Sequence, residues 1–194
     1  MHNAFQYDQY VLKRQVLALT GKFRLYNPAE QVVMYSYQKM FRLKEDIRGY
    51  SDESMSQELL YIQARQILDF SAAYDVYDSL SGEKVGMLRR KGFRSLVRDE
   101  WQIFDANEQF MGIVIEDSVE RALLRRFLLG RMLPQDYNLL VGGNCVADLK
   151  QRFNPFRYEL ELDFRMDPSR QLDRRLGIAA GILLGTIEGR QHSE

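Results

Sequence analysis

The chain predicts an all-β domain, an antiparallel sheet of eleven or twelve strands closed into a barrel around a buried hydrophobic carboxy-terminal helix. Two observations carry that expectation. From Leu176 to Ile187 the sequence reads LGIAAGILLGTI, uncharged and almost wholly apolar. Ahead of it, hairpin patterns recur along most of the chain.

As a helix, the apolar run is hydrophobic on every side, and such a helix must be sheathed by protein or by lipid. Twelve residues rise only ~18 Å, whereas a bilayer's hydrocarbon core asks for ~20 residues and ~30 Å. Arg174, Arg175, Glu188 and Arg190 also place charges at both ends of the run. Protein is the expected sheath. Asp167-Pro168 sets a cap residue before a helix-starting proline, which predicts a helix from Pro168 to about Gly189. Gly177, Gly181, Gly185 and Gly189 fall at every fourth position and read as the stripe where a strand's backbone comes closest.

Four segments share the order aromatic, any residue, aliphatic, bulky apolar: Phe23 to Tyr26, Tyr74 to Tyr77, Trp101 to Phe104 and Tyr137 to Leu140. Each leads into turn chemistry, at Asn27-Pro28, Asp78 to Gly82, Asp105 to Asn107 and Gly142 to Asn144. The returning strands are Val32 to Tyr37, Lys84 to Leu88, Phe110 to Ile115 and Cys145 to Leu149. Further strands fit Lys44 to Tyr50, Leu59 to Ile67 and Arg157 to Leu162. The uneven spacing of the four units speaks against a fixed-period propeller or solenoid. Between strands, Asp117 and Glu120 suit the cap of a helix over Val119 to Leu129. An all-β chain ending in an all-round apolar helix has one economical packing, with the sheet curled shut and the helix in the middle.

The 194 residues are 45% hydrophobic, enough for a sizeable core, and without a linker they read as one domain over 1–194. Lys plus Arg equals Asp plus Glu, 27 of each, so no global field draws the chain to nucleic acid, and an electrostatic partner needs a local patch. A single cysteine, Cys145, excludes an intrachain disulfide and suits a reducing, cytoplasmic setting. The amino-terminal MHNAFQYDQYVLKRQ lacks the charged flank and apolar stretch of a secretory signal.

The stretch from Tyr74 to Val114, YDVYDSLSGEKVGMLRRKGFRSLVRDEWQIFDANEQFMGIV, together with the closing LDRRLGIAAGILLGTIEG, resembles the LURF-one-related family and, more distantly, the phospholipid scramblases and the Tubby carboxy-terminal domain. The likeness runs from about Tyr10 to Gly189. It implies a twelve-stranded antiparallel barrel around a central hydrophobic helix and a role involving phospholipids. The chain departs from scramblases in lacking a proline-rich amino-terminal region and a cysteine cluster, and no phosphoinositide-binding Lys/Arg pair is matched residue by residue.

From the residues themselves, the densest basic cluster is Arg89, Arg90, Lys91, Arg94 and Arg98, interrupted by Gly92 and Phe93 at an expected hairpin tip. Such a turn can converge on a phosphate headgroup with Phe93 at the acyl boundary, or it can be a solvated turn whose charges discourage aggregation. Arg121, Arg125 and Arg126 share a segment with Leu123, Leu124, Phe127 and Leu128 and form a secondary basic patch, suited to a membrane interface or to a helix plugging one end of the barrel. Asp75, Asp78, Asp99 and Asp105 read as turn formers, and Trp101 with the tyrosines as barrel core. His2 and His192 are expected at frayed termini and Cys145 buried in a strand, so neither a nucleophilic triad nor a metal or cofactor site is expected. The resulting expectation is a non-enzymatic cytoplasmic domain, peripheral to the membrane, that docks on anionic phospholipid. The alternatives are a protein-interaction or structural module and, more distantly, scramblase-like lipid translocation.

Overall fold

The computed structural model describes residues 1–15, 21–38, 46–65, 72–91, 100–117, 134–154 and 156–191. Twelve strands form one closed antiparallel sheet: β1 (Gln9–Gln15), β2 (Gly21–Tyr26), β3 (Val32–Gln38), β4 (Ile47–Tyr50), β5 (Glu58–Ala64), β6 (Ala73–Asp78), β7 (Lys84–Arg90), β8 (Glu100–Phe104), β9 (Phe110–Glu116), β10 (Asp136–Val141), β11 (Asn144–Arg152) and β12 (Arg157–Asp163). Each strand pairs with its neighbours in sequence, and β12 returns to β1, with Gln9 opposite Asp163. One helix, α1 (Arg174–Gln191), occupies the lumen, and every residue of it from Leu176 to Thr186 is buried. The barrel with a central helix expected from the apolar run is the architecture observed. The strand expected over Lys44 to Tyr50 begins at Ile47, and that expected over Leu59 to Ile67 ends at Ala64. The helix expected over Val119 to Leu129 lies outside the described residues.

The hairpins are more regular than four aromatic segments suggest. In each of five, the second strand carries one extra residue opposite the end of the first: Val33, Leu59, Val85, Met111 and Val146. The first four recur every 26 residues, which corrects the reading of uneven spacing. The hairpin hidden in that reading is β4–β5, which has Ile47-Arg48-Gly49-Tyr50 where its counterparts begin with an aromatic residue. The longer connection before β10 then delays the fifth. A bulge turns one more side chain toward the core and sharpens strand twist, and all five bulge residues belong to the core or pack against it.

Asx chemistry closes the turns beside these bulges. Asn27 Oδ1 accepts the N–H groups of Ala29 and Gln31, Asp78 Oδ1 those of Leu80 and Ser81, and Asp105 Oδ1 those of Asn107 and Gln109, as turn-forming side chains do. Asp75 does not belong to this group. It stands on the outer face of β6, bonded to Arg65 (2.6 Å) and Lys84 (2.9 Å).

Alternation along the strands supplies the inner wall: Phe23 and Leu25 from β2, Tyr74 and Val76 from β6, Trp101 and Ile103 from β8, and Tyr158, Leu160 and Leu162 from β12 are all buried. The first strand, absent from the expected set, contributes Tyr10, Leu12 and Arg14. Arg14 on the inner face interrupts the apolar alternation of β1. The amino terminus is also better held than a frayed end. His2 Nδ1 accepts the N–H of Ala4 (3.2 Å) and caps a short 3-10 turn, Asn3–Phe5, whose Ala4 and Phe5 are buried.

The glycine row of α1 faces β12, and what fills its space is side chain rather than strand backbone. A methyl group at Gly177 would enter the Phe164 ring. At Gly185 it would stand 2.8 Å from Tyr158 and 2.9 Å from Phe23, and at Gly181 3.0 Å from a Leu162 methyl. Aromatic rings this deeply buried, at most 3% exposed, cannot step aside, whereas a leucine methyl can rotate.

The helix begins at Arg174, six residues later than Asp167-Pro168 suggests. Asp167 spends its carboxylate on the N–H groups of Gln171 (2.8 Å) and Leu172 (3.0 Å), and Arg170 adopts a left-handed conformation (φ 53°), so the segment turns before it can coil. Asp173 is the cap, taking the N–H of Arg175 on its side chain (2.9 Å) and that of Leu176 on its carbonyl (3.0 Å). Two arginines in the first turn oppose the helix dipole, and carboxylates offset both. Arg175 bonds Asp173 (2.6 Å) and Asp78 (2.5 Å). Arg174, only 1% exposed, bonds Asp167 (3.0 Å), Asp8 (2.9 Å) and the carbonyls of Phe164, Asp167 and Leu172, and lies 4.8 Å above the Phe164 ring.

Two expectations follow for stability. Gly177→Ala and Gly185→Ala should each lower it by ~1–3 kcal/mol through overpacking against rings. Gly181→Ala should be nearly neutral, since helix propensity returns up to ~1 kcal/mol. Urea unfolding of the three variants checks the order. Burial pushes the Asp167 carboxyl up, but the Leu172 and Gln171 amides and Arg174 outweigh it and hold the group below the usual carboxylate range. A folded-state pKa below the unfolded one makes its contribution complete above ~pH 4 and lost as pH falls through the folded value. Asp167→Asn should therefore reduce stability at neutral pH by about 1–3 kcal/mol and flatten the acid limb of the stability–pH curve, measured by urea unfolding from neutral to acidic pH.

Candidate functional site

The helix gives the barrel two distinguishable ends. At the entry end, where α1 begins, five hairpin turns and the segment 164–173 meet. At the exit end, where α1 finishes, residues 16–20, 39–46, 65–72, 91–99, 117–135 and 153–156 join the strands. By residue type these exit-end connections hold eleven Lys or Arg against six Asp or Glu, of which Arg65, Lys91, Asp46 and Asp117 are among the described residues, and Arg65 pairs with Glu108 of the β8–β9 turn. The entry-end segments, 1–8, 27–31, 51–57, 79–83, 105–109, 142–143 and 164–173, hold two against nine. The chain's net charge of zero conceals this separation.

Both basic clusters singled out in the sequence belong to exit-end segments. Strand geometry divides the first. Arg90 is paired in register with Trp101, which is buried in the core, so Arg90 is on the inner face. Arg89 and Lys91 are on the outer face. The Arg89 guanidinium lies 4.8 Å over the Phe104 ring, and exposed Lys91 reaches Glu100 at 2.7 Å. The five residues therefore do not form one surface through adjacency in sequence alone. Arg94 and Arg98 lie outside the described residues, as do Arg121, Arg125 and Arg126 of the second patch.

The interior at this end is polar, which alternation alone did not announce. Arg14, 3% exposed, sits between the Phe23 and Tyr158 rings, at 5.8 and 5.9 Å. Those two rings also flank Gly185, so Arg14 stands near the last turns of α1. Glu116 is buried opposite Tyr137, whose hydroxyl donates to Gln135 Oε1. Gln151 Oε1 in turn accepts the Gln135 N–H at 2.8 Å.

The exit end also carries two aromatic side chains that the sequence reading passed over. Phe153 and Phe156 are 57% and 68% exposed on the β11–β12 connection. Asn154 Oδ1 accepts the N–H groups of Phe156 (2.9 Å) and Arg157 (3.1 Å), which shapes the segment.

Cys145 is on β11, half-buried rather than fully enclosed. Its Sγ contacts the Ala147 carbonyl (3.6 Å) and Asn138 Oδ1 (3.8 Å), and burial, with Asp148 nearby, pushes the thiol pKa up. Among the described residues, no group of three or more His, Cys, Asp or Glu is placed to hold a metal ion. No helix among them is long and apolar enough to cross a membrane. In comparisons with known proteins, no family model matches the chain, and no curated protein and no solved structure matches it.

A raised thiol pKa predicts slow alkylation. Iodoacetamide should label native Cys145 more slowly than the urea-unfolded chain at pH 7, with a rate still climbing above the pH at which an ordinary thiol has ionised. Mass spectrometry of timed samples measures both.

Proposed function

We propose that this protein is a non-enzymatic binding domain that docks on the surface of an anionic phospholipid membrane through the exit end of the barrel. The observation that carries the reading is the distribution of residue types along the chain: the segments that join strands where α1 finishes are rich in Lys and Arg, and those where it begins are rich in Asp and Glu. An anionic surface attracts the first and repels the second, so a chain of zero net charge approaches in one orientation. Arg89 and Lys91 on the outer face belong to that surface, and we assign the remaining exit-end cations, including Arg94, Arg98, Arg121, Arg125 and Arg126, to the same role. Arg90, beside Trp101 on the inner face, is left to the fold. The resemblance to the LURF-one-related family supports the reading, because that likeness implies both this barrel-and-helix architecture and a phospholipid role. A cytoplasmic location is part of the proposal.

A second reading, docking of a protein partner, is favoured by the entry end. Val32, Met55, Leu80, Phe110 and Met166 are exposed there among the acidic turns, 40–58% accessible. Such a rim suits a basic partner with apolar contacts.

Vesicle flotation separates the two. The chain should float with phosphatidylcholine vesicles containing phosphatidylserine, should not float with phosphatidylcholine alone, and should be released by added salt. Arg89→Glu with Lys91→Glu should weaken binding at least ~tenfold, since each basic residue near the surface is worth ~1 kcal/mol, with thermal stability maintained. Arg90→Glu should instead lower stability. Absence of flotation at low salt would discard the lipid reading.

A further inference from the structure

The β11–β12 connection reads Arg152-Phe153-Asn154-Pro155-Phe156-Arg157, two phenylalanines bracketed by two arginines. Phe156 is the most exposed large hydrophobic residue among those described, and Phe153 is also more than half exposed. Both arginines are exposed as well. Arg152 pairs with Glu161 on the outer wall.

Exposed phenylalanines cost solvation unless something covers them. On this chain the covering surface has to tolerate the exposed guanidinium groups of Arg152 and Arg157 that flank the rings. A basic protein partner fails that condition. The boundary between the headgroups and acyl chains of an anionic leaflet meets it, because aromatic rings enter the apolar layer while arginines remain at the phosphates. The Asn154 side chain bonds the N–H groups on the far side of the turn, so part of the ordering cost of insertion is met before contact.

We infer that Phe153 and Phe156 form an insertion wedge, held between Arg152 and Arg157, that anchors the exit end of the barrel in the interface of an anionic membrane. The inference rests on the lipid-docking reading and deepens it. Long-range attraction brings the basic end to the surface, and the wedge then supplies the short-range, salt-resistant part of binding. The two contributions separate experimentally, because screening weakens only the first.

The test uses the full chain and vesicles of phosphatidylcholine with and without phosphatidylserine. Phe153→Ala combined with Phe156→Ala should weaken binding to the anionic vesicles at least ~tenfold, leave thermal unfolding unchanged, and make the residual binding fully reversible by salt. In a second variant, Phe156→Trp, emission from the new indole should shift to the blue on vesicle binding and be quenched by bromine placed on the acyl chains. The native Trp101, 2% exposed in the core, should not respond. Binding of the double alanine variant equal to that of the unaltered chain, with no bromine quenching of Phe156→Trp, would overturn the wedge while leaving electrostatic docking intact. Equal binding of the unaltered chain to neutral and anionic vesicles, lost in the double variant, would uphold insertion and remove the electrostatic step. If the unaltered chain bound no vesicle but self-associated in sedimentation, and the double variant did not, the phenylalanines would be a protein contact and the wedge would fall.

Discussion

A closed sheet of twelve strands surrounds a lumen wider than its own side chains can fill, since about eight strands already bring inward side chains into mutual contact. α1 is what fills it. The helix in turn has no polar face to offer water, so neither element is stable in this form without the other. The fit is set by small residues: glycine at three successive inward turns of α1 accepts the side chains of Phe164, Leu162 and Tyr158, and brings the helix against β12. The remaining inner residues then follow strand alternation.

Burying a helix along a barrel axis also buries its dipole, and both ends need counter-charge where water screens poorly. At the amino end, Asp173, Asp167, Asp78 and Asp8 supply it while neutralising Arg174 and Arg175. Toward the carboxyl end, Arg14 is buried beside the Phe23 and Tyr158 rings that flank Gly185. By residue type, the connecting segments at the two ends follow the same polarity. The counter-charges that hold α1 and the proposed docking therefore involve the same two ends of the barrel.

Much of this architecture was legible in the residues, because apolar periodicity and turn chemistry are local signals. The all-round apolar run marked the helix, and Asn27, Asp78 and Asp105 marked turns that the structure contains. The failures have local causes too. β1 escaped because Arg14 interrupts its inner face, and the β4–β5 strands, though expected, were not read as a unit of the repeat because Ile47 and Gly49 replace its aromatic and aliphatic lead. Leaving out that unit concealed the 26-residue period. The helix start was misplaced because a carboxylate beside a proline caps a turn as readily as a helix, and the left-handed Arg170 is not visible from residue type. At the candidate site, basic clusters were legible as composition. The division of Arg89 and Lys91 from Arg90 depends on strand register, and the exposure of Phe153 and Phe156 depends on which segment the barrel leaves uncovered.

The seam between β1 and β12 joins Gln9 to Asp163, 154 positions apart in the chain. The other contacts of the sheet are between consecutive strands and can form as each hairpin is made. Closure is different, because it has to bring distant residues together and enclose a helix synthesised after the last strand. Until α1 exists, the hairpins can associate only as an open sheet with an apolar inner face and two unpaired edges, and each edge is competent to accept a strand from another copy. Order of synthesis therefore sets a window of vulnerability. A barrel of this kind becomes safe from edge-to-edge association late and all at once, when the helix docks and the ring shuts around it.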